Sequence, residues 1–471
     1  MLLLADWVVP VSSAPVADAG VRVAGGLIVE VGPAAELRAR AGDEEVKVFP
    51  GCGLLPGLVN SHIHLELSAF RGFSRPSSFG RWMLRLLLAR RKLDPDDYEA
   101  SALWGAYECL RCGVTSVGDT AYGGPAVARA AGEAGLRARV YQEVFGLDDE
   151  VIPAALERLE STVRLMQKEA SGTPLVEAGV SPHAPYTVSA RLYREAARFA
   201  RRAGLRLATH VAESPAEAEL LTRGTGAIAR AYRAAGLGDR RGWNPPGLRS
   251  LPFVAGTGAL TPETLVIHAI QLEREDVATL ASSGAAVAHC PRSNARLHCG
   301  IAPVRELLAA GVPVGLGTDS LASNDSLDMF VEMRAALQDD AGRAAERCAT
   351  LEAHAGRESF AAAGLLTPEQ VLRMSTLDGA RALGWDDRAG SLEAGKSADV
   401  IAVSLPGTLR GSTSRRADVI PSIVGRCSAA DIIMTMVAGT VLFEQGSPRG
   451  TPPLGVTSAY QRARDKLEAD R

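Results

Sequence analysis

Short apolar runs ending in a histidine recur along the middle of the chain: Val180-Ser181-Pro182-His183, Leu207-Ala208-Thr209-His210, Leu265-Val266-Ile267-His268 and Ala286-Val287-Ala288-His289. Their length and apolar content read as buried strands. Helical stretches follow, at 190–203 after the first of these and 303–310 after the last. A repeating strand–helix order with polar residues at the carboxyl ends of strands predicts a (β/α)8 TIM-like barrel with its active site at that face. Histidine has no stability reason to prefer strand ends, so the rings are expected to converge on one mouth.

The two ends of the chain carry a different pattern. Residues 1–55 read as short strands and turns, including Trp7-Val8-Val9-Pro10, Val21-Arg22-Val23-Ala24-Gly25-Gly26 and Leu27-Ile28-Val29-Glu30-Val31-Gly32. Strand and turn signatures return in 395–403 and in Val437-Ala438-Gly439-Thr440-Val441-Leu442-Phe443. Neither segment could form a stable sheet alone. They are expected to pair into one small β-sandwich domain, 1–56 with 387–471, flanking a barrel over 57–386. An insertion around Trp243-Asn244-Pro245-Pro246-Gly247 could cover the pocket or touch a partner.

Composition narrows the class. The chain has 471 residues, 46% of them hydrophobic, and a formal net charge of −3. That length can bury a large core, and the charge offers no basic footprint for nucleic acid. No apolar run approaches the roughly 20 residues that span a bilayer, and Met1-Leu2-Leu3-Leu4-Ala5-Asp6 lacks the basic leader of a signal peptide. A cytoplasmic protein with no membrane or nucleic-acid partner is expected. Seven scattered cysteines do not form a disulfide framework. Cys109-Leu110-Arg111-Cys112 lies in a helical pattern with no second pair, so it reads as buried thiols.

His62-Ile63-His64 adds the first chemistry. Along a strand, side chains i and i+2 share a face, so both imidazoles can reach one ion. With only eight histidines in the chain and several of the others at strand ends, a metal site is the leading expectation.

The run Pro56-Gly57-Leu58-Val59-Asn60-Ser61-His62-Ile63-His64, together with Thr209-His210-Val211-Ala212-Glu213, Ile267-His268 and Gly315-Leu316-Gly317-Thr318-Asp319, resembles the amidohydrolase superfamily. More narrowly it resembles the branch of methylthioadenosine/S-adenosylhomocysteine deaminases, guanine deaminase and triazine chlorohydrolases. The resemblance implies that His62, His64, His210 and Asp319 hold one divalent ion with a position left for water, zinc first and iron(II) second. Alone, Asp319 would read as a turn or cap residue. The five lysines fall outside the barrel-strand patterns, which favours one metal over a pair bridged by a modified lysine.

Three catalytic residues are implied: Glu213 as proton carrier, His268 beside the attacking group, and Asp319. His183 and Trp82 match substrate-contacting positions, and Ser323 with Asn324 would shape the pocket floor. His289 would orient a loop or touch substrate. His64-Leu65-Glu66-Leu67-Ser68 and Cys290-Pro291-Arg292-Ser293-Asn294 resemble the aminodeoxyfutalosine deaminases, which adds Glu66 and Arg292 to the substrate set. Adenosine-type relatives carry a glutamate where this chain has Arg91. The futalosine substrate ends in a benzoate, for which Arg292, Arg71, Arg75 and Arg85 are candidate partners.

The expected protein is therefore a metal-dependent aminohydrolase acting on a small molecule, 6-amino-6-deoxyfutalosine of menaquinone synthesis in first place. The alternatives are methylthioadenosine/S-adenosylhomocysteine or another purine, or a related C–N or C–Cl bond. A homodimer is expected from the relatives. A scaffold that has lost its ligands is disfavoured because each ligand position is retained.

Overall fold

The computed structural model describes residues 1–73, 78–170, 172–234, 245–352, 364–409 and 416–468. Its first four strands, β1 (Leu2–Val8), β2 (Val16–Ala24), β3 (Leu27–Pro33) and β4 (Val46–Pro56), lead directly into β5 (Leu58–Ile63). Then come β6 (Val114–Ala121), β7 (Arg137–Val144), β8 (Val176–Pro182), β9 (Leu207–Val211), β10 (Thr264–His268), β11 (Ala286–His289) and β12 (Val314–Leu316). The last three are β13 (Val400–Ser404), β14 (Ile432–Val437) and β15 (Thr440–Glu444).

Strands β5 to β12 form one parallel eight-stranded sheet in sequence order, the expected barrel. Strands β6 and β7 are buried at every position, as a parallel sheet covered by helices requires. Its seam closes by specific bonds rather than by a long ladder. Asp319 N–H donates to the His62 carbonyl at 3.0 Å. Asn60 donates to Thr318 Oγ1 at 2.7 Å and accepts from Thr318 N at 3.0 Å. The seam is tight: a Cβ on Gly317 would stand 2.8 Å from His62 O and 2.9 Å from His62 N. Trp385, fully buried, packs with Val59, Tyr141, Ala208 and Leu265 and donates to Glu177 Oε1 on β8 at 3.1 Å.

Both termini build the second sheet, ordered β15-β14-β13-β4-β1-β2-β3. The strands from 2–56 meet those from 400–444 where β13 pairs antiparallel with β4. The chain passes from one sheet to the other at Gly57, where a Cβ would lie 2.1 Å from Thr115 Oγ1. The last helix, Leu454–Glu468, leaves this sheet and packs on the barrel: Tyr460 stacks on Trp104 at 4.4 Å, and its hydroxyl donates to Ser68 O at 3.2 Å. Of the insertion around Trp243, residues 235–244 lie outside the described ones. No described helix is long and apolar enough to cross a membrane.

Candidate metal centre

Every expected ligand sits at or just past the carboxyl end of a barrel strand. His62 is on β5 with His64 just beyond it, His210 is on β9, His268 ends β10, and Asp319 follows β12. His62, His64 and His210 each offer a ring nitrogen within 4.8 Å of the others, and so do His62, His268 and Asp319 through one atom apiece. Asp319 Oδ1 stands 3.5 Å from His62 Nε2 and 3.6 Å from His64 Nε2. Four side chains from distant parts of the chain therefore share one centre.

The turns that aim them are strained. Ala212 (φ 56°), His268 (φ 73°), Ala269 (φ 50°) and Asp319 (φ 57°) are left-handed without being glycine, a conformation that costs about 1–2 kcal/mol per residue and concentrates at functional sites. Neighbours hold them there. Glu217, fully buried, accepts from Ala212 N at 3.0 Å and Glu213 N at 2.8 Å. Asp319 Oδ2 accepts from Ser293 Oγ at 2.6 Å and Ser323 Oγ at 2.7 Å, and Oδ1 accepts from Ser320 N at 2.6 Å. His210 Nδ1 donates to the His183 carbonyl at 2.9 Å. Such bonds fix ring orientation and leave the other nitrogen free to coordinate.

Charge is set by burial. It drives His64 down to about 3, with His62 adding to the effect, and drives His268 to about 4. His210 is held well below the usual imidazole range by burial and then by His183. Burial would raise Asp319, but the facing imidazoles, His62 first, outweigh it and hold the carboxyl well below the ordinary range. Neutral imidazoles facing a carboxylate are the donor set that a zinc or iron(II) ion takes. Both ring nitrogens of His62 are buried with no hydrogen-bond partner among the described residues, which an ion at this centre would satisfy. The residues fit a divalent metal.

A cleft of about 790 Å³ opens over this centre. Glu213 lines it with Oε1 3.5 Å from His268 Nε2, and burial, then Asp319, raises its carboxyl well above the ordinary range. His183 also lines it, its ring 4.8 Å from that of Phe145. Trp82 forms part of the wall, its indole N–H donating to Ala322 O at 2.9 Å.

Four expected substrate contacts are placed elsewhere. Glu66 is consumed behind the wall, accepting from Arg90 Nη2 and Gly123 N, both at 2.9 Å. Arg292 pairs with Asp325 and donates to Ser326 Oγ at 3.0 Å. Ser323 holds Asp319, and His289 is buried away from the cleft lining. Among the candidate benzoate partners, Arg71 pairs with Glu108, and Arg85 lies over the Phe73 ring at 4.9 Å. Arg75 lies outside the described residues.

The arginines that do line the cleft are Arg90 and Arg91, joined by Tyr122, Glu143 and Tyr186. Glu143 stands near the carboxyl end of β7, so the strand-end rule that exposes the histidines could have found it.

Residues 54–442 match the model of the Amidohydrolase family. The 5-methylthioadenosine/S-adenosylhomocysteine deaminase of Nitratidesulfovibrio vulgaris is 33% identical over 433 residues, covering 92% of this chain and 89% of that protein. The 5'-deoxyadenosine deaminase of Methanothermobacter thermautotrophicus is 32% identical over 403 residues, 85% of this chain and 84% of its own. A zinc-bound adenosine deaminase from Xanthomonas campestris superposes with a TM-score of 0.79 at 25% identity, covering 99% of this chain and 98% of its own. The chain belongs to the amidohydrolase family and is a hydrolase acting on carbon–nitrogen bonds.

Proposed function

We propose that the protein is a metal-dependent aminohydrolase that releases ammonia from an adenine-type nucleoside. The observation that carries this reading is the gathering of His62, His64, His210 and Asp319 beside the Glu213–His268 pair at the base of a nucleoside-sized cleft. A divalent ion held there, zinc first, supplies Lewis acidity that makes water a competent nucleophile at neutral pH.

The protein's own groups supply the proton transfers. Glu213 takes one proton from the attacking water and passes it to the ring nitrogen, then carries the second proton, from the hydroxyl of the adduct, to the leaving amine, a role its raised proton affinity suits. With His268 Nδ1–H donated to Asn294 Oδ1 at 3.0 Å, Nε2 is left facing Glu213. The two can hold a proton between them and release it to the substrate. His183 would hold the purine from the adjoining wall.

The names of the two relatives, both adenosine-derivative deaminases, support the substrate class. Within it the first candidate is 6-amino-6-deoxyfutalosine, which would place the enzyme in menaquinone synthesis. Its apolar, carboxylate-bearing extension suits a cleft lined by Leu86, Leu87 and Val151 beside Arg91. The relatives' names favour methylthioadenosine or S-adenosylhomocysteine as the second reading. The homodimer and the cytoplasmic setting expected from the sequence belong to the same proposal, with sedimentation as the check on the first.

The test is ammonia release by the zinc-loaded protein across 6-amino-6-deoxyfutalosine, methylthioadenosine, S-adenosylhomocysteine, 5'-deoxyadenosine, adenosine and guanine. Adenine nucleosides should turn over, the futalosine derivative with the highest kcat/KM. Release from guanine alone, or from none, refutes the reading.

A further inference from the structure

Glu143 lies outside the ligand set and the proton carriers proposed above, yet it faces the cleft with its residue only 6% exposed. Its Oε1 is fully occluded and has no hydrogen-bond partner among the described residues. A carboxylate oxygen of Glu143 lies within 4.8 Å of ring nitrogens of His183 and His210, which puts the group on the wall shared with His183. The cation nearby is already committed: Arg90 bonds Glu66 at 2.9 Å and faces the rings of Tyr98 at 5.8 Å and Tyr122 at 5.7 Å. A buried carboxylate oxygen without a hydrogen-bond partner is costly, so Oε1 is built for a ligand atom.

Its partner follows from the chemistry of the substrate, on the adenine-nucleoside reading above. The ring nitrogens of adenine accept hydrogen bonds and so pair only with a protonated Glu143, whereas a hydroxyl pairs with it in either form. The donors of such a nucleoside are the exocyclic amine, which must lie against Glu213 to leave, and the sugar hydroxyls. We infer that Glu143 binds a sugar hydroxyl of the substrate and makes the enzyme select ribonucleosides over their deoxy analogues. A hydroxyl both donates and accepts. It therefore pairs with Glu143 whether the carboxyl is ionised or protonated, the form that burial favours by pushing it up to about 8.

The experiment compares kcat/KM of the zinc-loaded protein on a nucleoside it deaminates with the 2'-deoxy and 3'-deoxy forms of that nucleoside, wild type beside Glu143→Ala. In the wild type at least one deoxy form should lose about 30-fold, mostly through KM, the worth of a hydrogen bond to a buried polar group. In Glu143→Ala the same loss should shrink to within about threefold. The ratio compares substrates on one preparation, so incomplete folding cancels. Should Glu143→Ala not accumulate, Glu143→Gln is scored by the same ratio, with any fall of about threefold or more supporting the assignment. No deoxy penalty in the wild type, or an equal one in both proteins, overturns the role of Glu143 and leaves the deaminase standing. Ammonia from no nucleoside at all overturns both.

Discussion

At the residue scale, the proposed roles separate groups that would hold the ion from groups that would move the proton. Asp319 offers Oδ1 to the centre and anchors Oδ2 on Ser293 and Ser323. Glu213 shares only its neighbourhood. Glu213→Gln should therefore cut kcat by at least about 10³-fold with zinc content unchanged, whereas Asp319→Ala should lose the metal. Elemental analysis beside steady-state kinetics separates the two, and near-normal turnover by Glu213→Gln would end its assigned role. A second residue prediction concerns Glu332, fully buried beneath the Asp319 loop, where it accepts from Asn324 Nδ2 at 2.7 Å. Burial raises its carboxyl to about 8, against the pull of Arg292. The folded state then binds this proton more tightly than the unfolded chain does. The stability it confers is complete below the unfolded value near 4.5 and is lost as pH climbs through 8. Glu332→Gln keeps the acceptor and removes the titration. Its stability relative to wild type should improve by up to about 1.4 kcal/mol per pH unit across that window, and parallel pH profiles of chemical denaturation for the two proteins would reject this. The histidine cluster was legible in the sequence because imidazole is scarce and serves few purposes at a strand end. Glu66 and Arg292 misled because a carboxylate or guanidinium in a motif can equally serve a neighbouring backbone or ion pair, and here each does.

At the element scale, the strands of the barrel announce themselves as buried apolar runs, and the histidines at the ends of β5, β8, β9 and β10 mark the face that carries the candidate site. What the pattern hides is closure. β12 has three residues, too few for periodicity to register, and it meets β5 through Asn60, Thr318 and the Asp319 amide. The glycines of Gly315-Leu316-Gly317 are there for contact, since neither has a positive φ. A Cβ on Gly315 would stand 2.1 Å from Ser61 Oγ, a side chain that can turn, but one on Gly317 meets the His62 backbone. Gly317→Ala must therefore push β5, which carries His62, away from the segment after β12 that leads to Asp319. The expected cost is about 2–3 kcal/mol of stability, with weaker zinc retention against a chelator. An alanine variant that melts and holds zinc like wild type would show the seam to be compliant. The roles of Arg90 and Arg91 were equally hidden, because a helix C-terminus rich in arginine reads as a solvated, dipole-matched end until the fold lays it against the cleft.

At the scale of the whole molecule, the question is what couples the terminal sheet to the barrel. The sequence pattern shows that the two ends should pair, but not what binds them to the centre, since that depends on groups 262 positions apart. Arg137, at the start of β7, reaches Asp399 Oδ2 at 3.0 Å and Ser397 Oγ at 2.7 Å. Asp399 Oδ1 also accepts from Ala438 N at 2.8 Å, in the turn between β14 and β15, and its carbonyl accepts from Gly57 N at 2.9 Å, where the chain crosses between sheets. The side chains of the pair are 7% and 2% exposed, so water cannot replace a lost partner. Asp399→Ala leaves Arg137 buried and uncompensated, which costs about 3–5 kcal/mol, whereas replacing both by apolar residues of similar size costs far less. The melting temperature should fall by roughly 5 °C or more in Asp399→Ala, and a substantial part should return in Arg137→Met/Asp399→Leu. Zinc content of the folded fraction should stay at wild-type level in each, because this joint lies at the opposite end of β7 from the metal ligands. If the double variant melts below the single one, the pair contributes through its attraction rather than through the penalty of leaving one charge behind, and the joint between the sheets is electrostatic rather than steric.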